Sequence, residues 1–285
     1  MFSIIGVVVV IGAILGGYLM EKGNLAVLIQ PAELVIIGGA AIGTLLIANP
    51  IHIIKGIVAG LMLVLKGSSY TKEKYMEALK LLSELFTFGR KEGAAKLEEE
   101  IDDVAKSAIF TKYPKVQSDH LAADYICDTV RMAIAGGVQA HDLEALMEND
   151  AEIHHDEEAK SINALSTVAD ALPGLGIVAA VLGVVITMGA IGGPPEEIGH
   201  KVAAALVGTF LGILLCYGFI GPLASNISKI NDDATDFLRV LRAGVICYVK
   251  GGSPLLVAES ARRVIPHHLR PSMKDMEEAL KAAKG

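Results

Sequence analysis

ADALPGLGIVAAVLGVVITMGAIGG, residues 169–193, carries a single charge, Asp170, near its start. The run that follows Asp170 is long enough to cross a bilayer as one helix. Along it Gly176, Ala180, Gly183 and Thr187 recur at i, i+4, i+7 and i+11, so four small side chains share one helix face. A second run, VAAALVGTFLGILLCYGFIGP at 202–222, repeats the spacing with Ala205, Thr209, Gly212 and Cys216. In lipid, apolar bulk gains nothing at a helix contact, and small residues that let backbones approach do. Periodicity alone leaves two readings open: the stripes pack the two helices together, or they line something between them.

The rest of the chain fits a membrane protein. Its 285 residues have a formal charge of −7 and are 52 % hydrophobic, with a mean hydropathy of +0.50, too apolar for a soluble globular protein of this size. Trp is absent, so the interfacial aromatic belt is weak. Cys127, Cys216 and Cys247 are odd in number and lack metal-ligand spacing; they read as reduced thiols. Residues 1–20 have no basic leader region and read as a retained span rather than a secretory signal.

Residues 1–20 are charge-free, with Gly12 and Gly16 four apart. Residues 21–33 read as a polar loop. Residues 34–54 form a second apolar run, which Pro50 should kink or end. Residues 56–65, bracketed by Lys55 and Lys66, are too short to span and suit a helix on the membrane surface. The segment that follows, to about 168, is soluble in character. Tyr75, Leu79, Leu82 and Phe86 predict a helix closed by Gly89. Residues 94–108 predict an acidic helix, Tyr113-Pro114 a break, and 120–135 a helix stopped by Gly136-Gly137. From Asp142 the helical pattern resumes and runs toward the 169–193 span. Residues 191–201 form a tight loop with Pro194-Pro195. After Pro222 the helical pattern continues to 249, Gly251-Gly252 stops it, and a short amphipathic tail ends the chain.

Lys22 and Lys201 are the only basic residues of the two short loops, whereas the middle segment and the tail hold nearly all the rest. The positive-inside rule then puts both termini and the middle segment in the cytoplasm. The predicted fold is an all-α membrane protein. It has spans at 1–20 and 34–54, a cytoplasmic helical domain over 55–168, spans at 169–193 and 202–223, and a cytoplasmic helix and tail over 224–285.

This layout, with LPGLGIVAAVLGVV at 172–185 and AALVGTFLGILLCYGFIGPLAS at 204–225, resembles the A subunits of the bacterial flagellar stator, the MotA family. The Arg90 to Glu98 spacing, Tyr113-Pro114 and the EALM at 144–147 look like further landmarks of that family. The ExbB/TolQ energisers are more distant relatives that share the last two spans. An ExbB/TolQ-type energiser of envelope transport, disfavoured by the two extra N-terminal spans, is one alternative. A non-conducting membrane scaffold is the other.

No span carries an ionisable residue at its middle; Glu33 and Asp170 read as edge residues. An ion pathway normally needs a titratable or coordinating group at depth, so if this chain conducts protons another chain must supply the carboxylate. The resemblance implies a B subunit dimer with an aspartate on its single span, this chain as a pentamer around it, and a path lined by Ala180, Thr187, Thr209 and Tyr217. For Thr209 the alternative is a hydroxyl bonded back to its own helix. The resemblance also implies that Pro173 and Pro222 couple the ion site to the cytoplasmic domain; both read as lying near the inner mouth. It further implies that Arg90, Glu98 and Asp150 engage the rotor's switch protein, where the bland reading of the charge run is a solvated helix face. Sodium needs oxygens in place of its hydration shell. Sodium-driven relatives place a threonine where this chain has Ala180, so protons are expected in preference to sodium. The His154 to Glu158 cluster reads as a solvated face, not a metal site. No nucleotide loop, nucleophile elbow or catalytic dyad is present, so neither an enzyme, a cofactor nor a nucleic-acid partner is expected.

Overall fold

The computed structural model describes residues 2–189 and 191–283. Met1 and Ala190, inside the expected spans 1–20 and 169–193, and residues 284–285 of the tail lie outside the described residues. The chain divides into two units, one from Met1–Gly67 and Glu157–Ile230, the other from Ser68–Asp156 and Asn231–Gly285.

In the first unit, α1 (Phe2–Met20) follows the first apolar run. The expected loop over 21–33 is shorter than read. Asn24 caps a one-turn helix, α2 (Leu25–Leu28), through a 3.0 Å bond from the Ala26 amide. Pro31 opens α3 (Pro31–Ala48), because a proline at the first helical position gives up no bond. Glu33 is therefore a helical residue. At the far end Asn49-Pro50 ends the helix outright. Residues 51–54 belong not to this span but to α4 (Ile51–Lys66), which begins five residues before the expected surface helix. The α4 residues Ile53, Ile57, Gly60 and Val64 are buried, and Ile53, Ile57 and Val64 cluster with Ile162, Leu165, Ala224 and Ile227.

In the second unit Thr71 caps α5 (Lys72–Glu92), and the expected stripe of Tyr75, Leu79, Leu82 and Phe86 is fully buried. Gly89 does not close this helix. It stays helical because Leu97 and the Tyr248 hydroxyl crowd the place of a side chain, and Gly93, at φ +89°, makes the stop. The acidic helix α6 (Ala94–Asp102) ends six residues early. The Asp103 side chain takes the Ala105 amide, and Glu100 takes Ser107 Oγ and the Ile109 amide, so a turn replaces the last helical turns. A 3-10 turn (Phe110–Lys112) leads to α7 (Pro114–Gln117), and Asp119 caps α8 (His120–Ala135). Lys74 and Asp119 form a buried 2.7 Å ion pair, with the ammonium 4.1 Å from the Tyr70 ring centroid. Burial pushes the Cys127 thiol up to about 12, which keeps it protonated.

Two long helical runs pass through both units in sequence. The first is α9 (Ala140–Met188), unbroken across Pro173. The second is α10 (Pro195–Leu214), a π-helical turn (Leu215–Ile220) and α11 (Gly221–Val249). The π-helical turn places the Gly221 amide on the Cys216 carbonyl, and Pro222 follows it directly. A proline lacks an amide hydrogen and clashes with the carbonyl four residues earlier; a wide turn just before it absorbs both defects. Among the described residues, four helical stretches, one each in α1, α2–α3, α9 and α10–α11, are long and apolar enough to cross a membrane. The tail forms α12 (Pro254–Val264) and α13 (Met273–Ala282), whose buried Val257, Ala258, Ala261 and Met276 join the core of α5 and α8.

Candidate functional site

The α9–α10 pair is held together by its small residues. A Cβ on Gly176 would lie 2.8 Å from the Gly208 carbonyl oxygen and 3.1 Å from Gly212 Cα. One on Gly212 would lie 2.5 Å from the Leu172 carbonyl, and one on Gly183 would lie 2.7 Å from Ala205 Cβ. The two backbones touch along this seam, and every larger side chain there would force them apart. Half of the two sequence stripes therefore does the packing: Gly176 and Gly183 meet Ala205 and Gly212.

Ala180 belongs to the same level as Thr209. Its amide nitrogen is 3.3 Å from the position of a Cβ on Gly208, and both Ala180 and Thr209 are half-buried. Thr187 is buried, and its hydroxyl donates to the Gly183 carbonyl at 2.8 Å, so its one hydrogen serves its own helix. Tyr217 is exposed on the π-helical turn, two turns of chain beyond Thr209. The structure thus puts Ala180 and Thr209 at one level of the bundle and leaves Thr187 and Tyr217 at others.

The two prolines are not at one depth. Leu172 touches Gly212 across the seam, whereas Pro222 lies ten residues beyond Gly212. At 1.5 Å per residue, Pro222 lies roughly 15 Å along the bundle from the level where Leu172, next to Pro173, meets Gly212. The expectation that they pair near the inner mouth is corrected accordingly. Pro173 sits beside the seam and Pro222 beside the π-helical turn.

One residue of this region escaped the reading of the sequence. Glu33 is a first-turn residue of α3, 6 % exposed, and its Oε2 has no hydrogen-bond partner. That oxygen is 2.6 Å from where a Cβ on Gly208 would stand. The signal was present in Pro31, which marks a helix start and so makes Glu33 helical, not part of a loop.

In the other unit, the charge run divides by partner. Lys96 pairs with Glu92, Arg131 with Asp102 and Lys106 with Asp103. Arg90 donates through Nη2 to the carbonyls of Gly251 and Gly252 at 2.6 and 2.7 Å, satisfying the turn after α11. Glu98 on α6 and Asp150 on α9 are exposed and take part in no ion pair among the described residues. Arg90 and Glu98 are not a pair with one another. His155 Nδ1 lies 3.1 Å from Thr235 Oγ1 and 3.2 Å from Asn231 Nδ2, which uses that ring nitrogen within the fold.

Comparison with known proteins gives the affiliation. A model described as motility protein A N-terminal matches residues 4–93, and one described as the MotA/TolQ/ExbB proton channel family matches residues 117–238. The chain belongs to the MotA family of motility proteins. It is 40 % identical to motility protein A of Escherichia coli over 100 % of this chain and 96 % of that one. It is 37 % identical to the chemotaxis protein LafT of Vibrio parahaemolyticus over the full length of both. Among solved structures it resembles the flagellar MotAB stator complex of Bacillus subtilis, with a TM-score of 0.72 and 25 % identity over 97 % of this chain and 98 % of that one. It is a multi-pass membrane protein of this family.

Proposed function

We propose that the chain is the ion-conducting A subunit of a flagellar motor stator, which turns ion flow into torque on the rotor. The likeness to motility proteins A over the whole chain carries this reading. It lies in the bacterial inner membrane with both termini in the cytoplasm, following the Lys/Arg asymmetry of its loops. Its partners are a MotB-like B subunit dimer and further copies of itself, as a pentamer. The transported ion is the proton.

The geometry supports a division of labour. The α9–α10 seam gives a wall with little bulk, with Ala180 and Thr209 at one level. This chain then frames the path while the partner brings the acid that sits opposite. Ala180 offers only a methyl group, so a sodium ion finds one hydroxyl, Thr209, where it needs a shell of oxygens; a proton needs only an acid and water. Pro173 and the π-helical turn at Pro222 are two compliant points at different depths, suited to passing a change at the path down α9 and α10–α11. Glu98 and Asp150 are free charges for a complementary rotor face. Arg90 is spent on the α11 turn and presents only what remains of its field.

Deletion of the gene, with swimming scored separately from flagellar assembly, tests the reading. Paralysed cells that still carry flagella are expected. Normal swimming with impaired envelope transport would instead favour an ExbB/TolQ-type energiser.

A further inference from the structure

An acid in the first turn of a helix is commonly a capping group that takes a backbone amide at the water's edge. Glu33 differs on both counts, being nine-tenths buried with Oε2 partnerless. It lies in a stretch long and apolar enough to cross a membrane, where a lone carboxylate costs several kcal/mol. The missing Cβ of Gly208 is what admits it. Around that point lie Oε2 at 2.6 Å, Ala179 Cβ at 3.2 Å and the Ala180 amide nitrogen at 3.3 Å. The carboxyl thus sits at the level of Ala180 and Thr209. On the outward side of the same α3–α10 contact is an open cleft of about 560 Å³ whose wall mixes Pro194 and Ala204 with Gln30, Glu196, Glu197, His200 and Lys201. Gln30 is one turn before Glu33, and Ala204, also in the cleft wall, is one turn before Gly208. The titratable groups toward the outside are therefore those of the cleft, with Lys201 paired to Glu197 at 2.9 Å, and Glu21 and Lys22 of the loop before α2. Between Asp170 and its end at Met188, α9 contributes none, and α3 has no other.

We propose that Glu33 is a proton-binding site of this chain, placed between the outer cleft and the level of Ala180 and Thr209. The carboxylate takes a proton from hydronium in the cleft and, as the neutral acid, gives it up to a carboxylate of the partner chain. One O–H bond forms as another breaks at each transfer, and nothing is oxidised. The close approach to the α10 backbone ties the position of the carboxyl to the packing of the seam. This rests on the proposed proton-conducting function.

The test uses the full chain with its B-type partner in cells, comparing Glu33→Gln and Glu33→Asp with wild type. Membrane level, proton uptake and swimming speed across external pH are measured. Glu33→Gln is expected at the wild-type membrane level with proton uptake reduced about a hundredfold, the low end for a positioned proton-transfer group. Glu33→Asp restores part of the uptake and moves the external-pH profile of speed, which a side chain that only packs would not do. Wild-type uptake in Glu33→Gln, or its loss from the membrane, overturns the inference. Swimming of the wild type that ignores a protonophore overturns it together with the proton-conducting reading. Normal Glu33→Gln swimming in cells whose wild type stops with protonophore overturns the Glu33 role alone.

Discussion

In the unit of residues 68–156 and 231–285, the fully buried side chains include Tyr75, Phe86, Phe110, Phe237 and a set of leucines. In the unit of residues 1–67 and 157–230, Val8, Ile47, Val185, Ile186 and Leu206 are exposed, and along the α9–α10 seam glycines, alanines and backbone atoms make the contact. The second unit, residues 68–156 and 231–285, is assembled by removing large apolar groups from water. The first has no such gain to make, since lipid is as apolar as leucine, so it is assembled by backbone proximity. A substitution of the same kind therefore has opposite consequences in the two places, and that contrast can be broken by mutation.

The largest effect is expected at the seam. Gly212→Leu puts a side chain where even a Cβ would be 2.5 Å from the Leu172 carbonyl. Overpacking a core costs about 1–3 kcal/mol, but here the obstacle is backbone, which cannot turn aside. Immunoblots of membranes and swimming assays should show loss of both the assembled complex and motility. Unchanged assembly would mean that the seam does not hold the two helices. In the other unit the damaging change is the reverse one. Phe86→Ala removes a fully buried ring stacked on Tyr248, with centroids 4.0 Å apart. It should cost about 3–5 kcal/mol of unfolding free energy, seen as motility that fails on warming and returns on cooling. The same ring deletion at an exposed apolar position of the first unit should change little.

Much of this contrast was legible in the sequence. Charge-free runs marked the spans, and the stripe from Tyr75 to Phe86 marked the main cytoplasmic helix. Pro50 ends its helix as expected, whereas the helix start marked by Pro31 and the stop marked by Gly93 were placed at other residues. A proline shows that a helix boundary is near but not whether it starts, bends or ends one. A glycine shows freedom but not whether the fold uses it for a turn, as at Gly93, or for close approach, as at Gly89. The π-helical turn before Pro222 left no composition signal, because it relieves a clash that exists only once the helix continues. Of the site, periodicity gave the two small-residue stripes, and only the family resemblance set Ala180 against Thr209. The burial of Glu33 was not readable, since it depends on which glycine of α10 faces it across chain separated by more than a hundred residues.

The charge patch should show a smaller and more selective effect. Glu98→Lys is expected to slow swimming severalfold without loss of membrane level or of thermal stability, since Glu98 has no partner to lose. Arg90→Glu should slow swimming and also loosen the α11 turn, because two carbonyls lose their charged donor; hydrogen exchange of the Gly251-Gly252 region in the purified full chain reads this. Equal loosening by both variants would mean that Glu98 too is structural.

The smallest effect is a pH dependence in the tail. Arg262 and Arg263 donate to Glu259 and hold its carboxyl at about 2, against burial that works the other way. A folded value below the unfolded one stabilises fully above about 4.5 and is lost as pH falls from there toward 2. Hydrogen exchange of α12 should accelerate over that range in the wild type. In Glu259→Gln it should already be faster at neutral pH, by on the order of 1.5 kcal/mol, and flat across the acid range. Identical profiles would remove Glu259 from the account.

The proposal that this seam passes protons rests on Ala180 and Thr209 together offering too few oxygens to hold sodium. Swimming speed measured with external sodium removed, and separately with a protonophore, addresses it directly. The account predicts speed indifferent to sodium and abolished by the protonophore. Motility that survives the protonophore and stops without sodium would contradict it, and would make the oxygens near Thr209 and Glu33 the site of a bound cation.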